Sequence, residues 1–126
     1  MVVGGVAATF HGSARVTYDL DICYSRRPSN LQRLAAALAP FHPRPREFAT
    51  TFTLRTDLGE IDLLAEVAGL GTYDDVKARS IALTAFERQI DALDLRSLIQ
   101  AKRAAGREKD LSSLPELESL LEAQEP

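Results

Sequence analysis

Polar and apolar residues alternate through VTYDLDICY, which places Tyr18, Leu20, Ile22 and Tyr24 on one side of an extended strand and Asp19, Asp21 and Cys23 on the other. The apolar side is expected to pack and the acidic side to stay open. Upstream, Val2 and Val3 read as the end of a short strand, Gly4 and Gly5 as a tight turn, and residues 6–10 as a brief helix that Gly12 ends. Downstream the period changes: Leu31, Leu34, Ala35 and Leu38 form one stripe of a helix over residues 29–39, which Pro40 stops. Alternation returns at Phe48, Thr50, Phe52 and Leu54, predicting a strand near residues 47–55. A turn at Asp57, Leu58 and Gly59 leads to a second strand near residues 60–67.

Tyr73–Lys77 reads as a short helical turn, and residues 81–93 alternate imperfectly, as a pair of short strands would. Helical spacing then resumes. Leu95, Leu98, Ile99 and Lys102 fall at i, i+3, i+4 and i+7, with Arg96, Gln100, Arg103 and Arg107 opposite. Ser113 and Glu116 have the spacing of a capping box for a last helix whose inner stripe is Leu117, Leu120 and Leu121. No repeat or interdomain linker interrupts the pattern. The expected fold is α+β, a small mixed β-sheet with helices on one face, in one domain over residues 1–126.

Composition narrows the setting. A chain of 126 residues that is 45% hydrophobic and 26% charged suits one domain with an ordinary core. A formal net charge of -3 and a pI near 5.4 argue against coating nucleic acid by bulk electrostatics, so any RNA contact must be local. The single cysteine, Cys23, excludes an internal disulfide and fits a reducing compartment, and no run approaches the roughly 20 apolar residues of a membrane span. The expected location is cytoplasmic. The opening MVVGGVAATF lacks the positive leader of a secretory signal and reads as a strand entered at once.

The candidate chemistry starts at Asp19 and Asp21, whose roots should lie roughly 7 Å apart because a strand advances about 3.3 Å per residue. With nine Asp in the chain, an Asp-x-Asp pair alone is weak evidence. Its weight rises if Asp62, in GEIDLL, lies on a neighbouring strand. Carboxylates about 6 Å apart would repel by roughly 3 kcal/mol per pair at an effective dielectric of 20, and bound magnesium would remove that penalty. The alternative is that Asp62 is a solvated strand-edge residue. Lys102 is the basic residue that falls on a packed helical stripe. Either its alkyl stem covers the core edge while the ammonium reaches water, or it points at a phosphate.

Other residues attract less chemistry. His11 and His42 lack partners at zinc-ligand spacing and read as helix-end or loop residues, and Cys23 reads as an inert thiol. Arg26, Arg27, Arg44 and Arg46 lie in Pro-bearing loops, either solvated or touching the phosphates of an RNA.

Taken together, GGVAATFHGSARVTYDLDI, GEIDLL and DLRSLIQAKRAAGREKDL resemble, in order and over nearly the whole chain, the nucleotidyltransferase superfamily typified by DNA polymerase beta. More narrowly they resemble its minimal bacterial members, including abortive-infection toxins of toxin-antitoxin systems. The resemblance implies that Gly4 and Gly5 contact nucleotide phosphates, and that Asp19, Asp21 and Asp62 are the catalytic carboxylates and the ligands of two Mg2+ ions. It implies that Lys102, Arg107, Lys109 and Asp110 complete the nucleotide site. Asp62 would serve the attacking hydroxyl and take its proton, and Arg15 and Thr17 fall in the matching run RVTYDLD. The implied activity is transfer of an NMP from an NTP, ATP included, to a hydroxyl acceptor such as RNA or tRNA, with an antitoxin protein as partner and no membrane.

The chain departs from that pattern at Gly5, where many members carry serine, and Ser13 lies too close to Asp19 to replace it with a helix between them. It also opens almost at the glycine turn, so the expected domain lacks the usual preceding helix. Two other readings stand beside the first. Aspartyl phosphatases also place an Asp-x-Asp after a strand and use the first carboxylate as nucleophile. A catalytically degenerate fold that binds nucleotide or a protein partner in a toxin-antitoxin pair is the non-enzymatic alternative.

Overall fold

A computed structural model of the chain, describing residues 1–48 and 51–125, joins the alternating segments into one mixed sheet. Its strands are β1 (Val2–Val3), β2 (Leu20–Cys23), β3 (Arg44–Phe48), β4 (Thr51–Thr56), β5 (Gly59–Leu64), β8 (Ser80–Ala85) and β9 (Arg88–Leu93), while β6 (Glu66–Val67) and β7 (Gly71–Thr72) form a separate ribbon. The order across the sheet is β3-β4-β5-β2-β1-β9-β8. β2 runs parallel to β5 and β1 parallel to β9, whereas β1 is antiparallel to β2. The helices are α1 (Gly4–Phe10), α2 (Pro28–Leu38), α3 (Tyr73–Lys77), α4 (Leu95–Ala105) and α5 (Glu108–Gln124), with a 3₁₀ turn at Ala39–Phe41. The α+β class expected from the sequence is the class observed. None of the described helices is long and apolar enough to cross a membrane.

The core gathers Val3, Cys23 and Leu93 from the sheet with Ala7 and Ala8 of α1, Leu95, Leu98 and Ile99 of α4, and Leu117 of α5. Helices α1, α4 and α5 contribute apolar faces at helical spacing. Asp94 caps α4 by accepting the Ser97 N–H at 2.7 Å, and Gly106, left-handed at φ 65°, ends it.

Four expectations about the sheet need correction. β2 begins at Leu20, so Asp19 precedes the strand, and Tyr18 is 90% exposed rather than packed. The side expected to be open carries Cys23, which is fully buried, because that is the side the helices cover. The strand expected near residues 47–55 is instead the hairpin β3–β4. Thr50 and the side chains of Arg46 and Phe48 lie outside the described residues and side chains. β5 stops at Leu64, and Glu66–Val67 turns away to pair with Gly71–Thr72.

α2 forms where its spacing predicted, yet none of its residues is buried and Leu31 is 40% exposed, so its stripe is not an inner one. The last helix starts at Glu108, five residues before Ser113. Its first turn is closed by Asp110 and Arg107, and the Ser113 hydroxyl donates to the Asp110 carbonyl at 2.6 Å instead of capping. Glu116 does not close a box with Ser113; it reaches to Ser13 and Ala14.

Leu117 is 1% exposed at the junction of α5 with the core, so Leu117→Ala should destabilise the fold by about 2–5 kcal/mol. Urea unfolding followed by circular dichroism measures the change, and a loss well under that range would mean the helix packs more loosely than described.

Candidate active site

The register of β1 with β2 sets Val3 opposite Asp21, and that of β2 with β5 sets Asp21 opposite Asp62. Opposed residues share a face, so Asp21 and Asp62 project to the same side as Val3 and Cys23, the side on which the helices pack. They emerge where the helical layer stops covering the sheet. Asp21 leans across the first residue of α1: a Cβ on Gly4 would lie 2.1 Å from Asp21 Oδ2, and Gly4 itself is at φ 65°. Both facts exclude a side chain there. At Gly5 a Cβ would lie 2.6 Å from Thr17 Oγ1, so the second glycine makes room for a threonine hydroxyl.

Burial raises the Asp21 carboxyl from its ordinary 3.8 to about 7, assisted by a hydrogen bond with Asp62 and by the negative charges of Asp62 and Asp19, with Lys109 opposing. Up to about neutrality Asp21 therefore keeps a proton that its hydrogen bond directs at Asp62. Asp62 is also held from the far side, since the Thr53 hydroxyl on β4 donates to its Oδ1 at 2.8 Å. Thr53 lies directly opposite Asp62 in the β4–β5 pairing, so its position follows from the register.

Across from the carboxylates stands a basic cluster at the α4–α5 corner. Lys102 Nζ lies 3.7 Å from Asp110 Oδ1, and Arg107 donates from Nε to Asp110 Oδ2 at 2.6 Å and from Nη2 to Oδ1 at 3.3 Å. Asp110 is 2% exposed. Burial pushes its carboxyl up, but the hydrogen bonds and charge of Arg107, with Lys102, outweigh that and hold it below the usual range. The Lys102 side chain keeps 18% of its surface exposed, combining the two readings of this residue: the stem covers the core edge and the ammonium faces the cleft.

One cleft of about 810 Å³ is lined by Gly4, Gly5, Asp19, Asp21, Asp62, Lys102, Arg107, Lys109 and Asp110. All the site residues expected from the sequence thus meet in one place. Its outer wall is the segment from Ser13 to Asp19, strapped to α5. The Ser13 hydroxyl and the Ala14 N–H donate to Glu116 at 2.5 and 3.1 Å, and Arg15 donates to Ser112 Oγ at 3.3 Å. Thr17 Oγ1 donates to the Asp19 carbonyl at 3.4 Å. Glu116 and Thr53 were not anticipated. Strand alternation could have marked Thr53 once the pairing partner of Asp62 was known, but the local pattern at Glu116, its capping-box spacing from Ser113, does not point to Ser13.

The remaining candidates sit elsewhere. Arg27 pairs with Asp74 at 3.3 Å on the surface, His11 Nε2 bonds the Leu93 carbonyl at 2.8 Å at the end of α1, and His42 pairs with Asp57 at 2.6 Å. Cys23 is a buried thiol whose pKa burial raises, as an inert cysteine requires. Among the described residues no group of three or more His, Cys, Asp or Glu side chains is arranged to hold a metal ion. The oxygen donors of Asp21 and Asp62 suit a hard divalent cation, which would replace the proton on Asp21, and exposed Asp19 is the nearby carboxylate that would have to turn inward to join them. No family model matches the chain, and no curated protein matches it.

Asp21 keeps its proton to about pH 7 when folded and loses it near 3.8 when unfolded, so within that window the folded chain holds the extra proton. This contribution to stability is full at the acid end, falls as pH rises and is lost above about pH 7. Asp21→Asn should flatten that decline, as thermal unfolding at pH 5, 6, 7 and 8 (about one-unit steps) would measure. An unchanged slope would mean that Asp21 ionises normally.

Proposed function

We propose that the chain is a metal-dependent nucleotidyltransferase of the DNA polymerase beta type, moving an NMP from an NTP to a hydroxyl acceptor. The observation that carries the reading is the contact of Asp21 with the side-chain-free Gly4, with Asp62 beside it and Lys102, Arg107 and Lys109 lining the same cleft. Glycine backbone lets phosphate oxygens approach closely, and the basic corner offers point charges for oxygens further along a triphosphate. Magnesium held by Asp21 and Asp62, with Asp19, would neutralise phosphate charge and make the acceptor hydroxyl more acidic.

The chain's own residues divide the remaining work. Asp62, oriented by Thr53, is the group that takes the proton of the acceptor hydroxyl as its oxygen bonds to the α-phosphorus. The bond from that phosphorus to the bridging oxygen breaks, and pyrophosphate leaves toward Lys102 and Lys109. Arg107 and Lys102 are preplaced by Asp110, which acts through them and does not touch the nucleotide. An RNA end such as that of tRNA is the proposed acceptor, and a cytoplasmic toxin restrained by an antitoxin protein the proposed setting.

A second reading is favoured by the exposure of Asp19 and by the lack, among the described residues, of three acidic side chains arranged to hold a metal: a degenerate domain that binds nucleotide or a protein partner without transferring. Labelled NTPs, magnesium and total RNA incubated with the protein should yield labelled RNA. Asp21→Asn or Asp62→Asn should lower the yield by roughly 10²-fold or more, the scale of losing a group that stabilises transition-state charge. Nucleotide binding with no transfer to RNA or protein would establish the degenerate reading, and a phosphoenzyme trapped on Asp19 would sink both in favour of a phosphatase.

Thr53→Val should leave NTP binding intact and lower turnover, since it removes the hydroxyl that fixes Asp62 and keeps the side-chain shape. Comparing nucleotide affinity with single-turnover rate separates the two effects; a loss of affinity alone would contradict a role in orienting Asp62.

A further inference from the structure

The two edges of the seven-stranded sheet are built differently. At one edge β3 reads Arg44, Pro45, Arg46, Glu47, Phe48, and its register against β4 shifts between Pro45 and Glu47. Proline, charge and a bulge each discourage another strand from docking. At the opposite edge β8 reads SIALTA, without charge, proline or glycine, in unbroken register with β9 over all six residues. Ile81 is 37% exposed, Ala82 and Thr84 are exposed, and among the described residues no strand pairs with the outer side of β8.

The hairpin determines which amides face outward. Phe86 and Glu87 are its two loop residues, at φ 53° and 63°, the conformation of a two-residue turn in which the flanking Ala85 and Arg88 exchange hydrogen bonds. Counting back by two, Leu83 and Ile81 also direct their amides to β9. The N–H and C=O groups of Ser80, Ala82 and Thr84 are left pointing away from the sheet.

We propose that β8 pairs antiparallel with β8 of a second copy of this chain, about a two-fold axis at Leu83. In that register Ala82 of one copy exchanges hydrogen bonds with Thr84 of the other, and Ile81, Leu83 and Ala85 continue as one apolar row across both copies. Phe86, 90% exposed on the turn, comes opposite Ser80 of the other copy. Arg79 comes beside the turn of the other copy, where Glu87, carried over toward β9, offers the opposite charge, and the two-fold axis makes that approach twice. This complementarity selects a second copy over an unrelated strand. Within one chain the Arg79 guanidinium bonds the neutral Gln100 Oε1 at 3.0 Å, and among the described residues neither Arg79 nor Glu87 forms an ion pair.

Sedimentation of the whole chain at rising concentration should show the mass moving from 13.8 kDa to twice that value. Ala82→Pro removes an outward N–H without touching the hairpin's own bonds and should hold the chain at the monomer mass. Should that variant misfold by circular dichroism, the charge pair decides: Arg79→Glu and Glu87→Arg should each shift the chain toward monomer, and the two together should restore the dimer. A monomer mass for the unaltered chain at every concentration overturns the proposal. So does a dimer that survives Ala82→Pro in a folded chain, or a double reversal that fails to recover what the single ones lose.

Discussion

Cys23 is fully buried under the helices, and strand parity therefore forces Asp21, two residues earlier, onto the same face of the sheet. The rest of the site depends on this constraint. A carboxylate that follows the core side chain's direction is only partly open to solvent, and it emerges at the margin of the helical layer with part of its surface covered. Parallel pairing with β5 then brings Asp62 alongside, and β1 presses the start of α1 against the pair. Burial and like charge both favour the protonated form of Asp21, and both arise from the register and not from any residue dedicated to tuning it.

The helices answer that charge at a distance. Lys102 and Arg107 would repel each other and wander if left alone, since both side chains are long. Asp110 holds them through one buried carboxylate, and the α4–α5 corner that brings the three together is made by Gly106 in the left-handed conformation. A carboxylate in a basic phosphate-facing cluster looks contradictory in sequence. In the structure its charge is spent on its two cations, so the cleft is acidic on the sheet side and basic on the helix side.

Much of this was legible in the chain because the informative residues are local. The glycine pair, the Asp-x-Asp alternation and the stripe Leu95, Leu98, Ile99, Lys102 are each decided within one turn or one strand. What was misread depended on long-range packing. Alternation shows which side chains share a side of β2, but not which side the helices cover, so Tyr18 was assigned inward and Cys23 outward. Helical spacing likewise marks the stripe of α2 without saying that none of its residues is fully buried. Ser113 and Glu116 fit a capping box by spacing, but the Arg107 and Asp110 contacts begin the helix earlier and leave Glu116 free to strap the distant Ser13. Each error concerns a partner far away in sequence, which a local pattern does not contain.

The departure at Gly5 can also be understood from the packing. A serine at that position would need space now held by Thr17 Oγ1, 2.6 Å from where its Cβ would stand. Position 5 and position 17 therefore cannot both carry a side chain in this arrangement of loop and helix. The absent serine and the present threonine are one choice, with the hydroxyl delivered to the glycine turn from the loop before Asp19 instead of from the turn itself. Since the same threonine donates to the Asp19 carbonyl, and Glu116 anchors the start of that loop, the hydroxyl beside the glycines and the most exposed of the three carboxylates ride on one strapped segment. Movement of that segment would carry Thr17 and Asp19 together, so the position of Asp19 relative to the Asp21–Asp62 pair is set by the loop and not by the sheet.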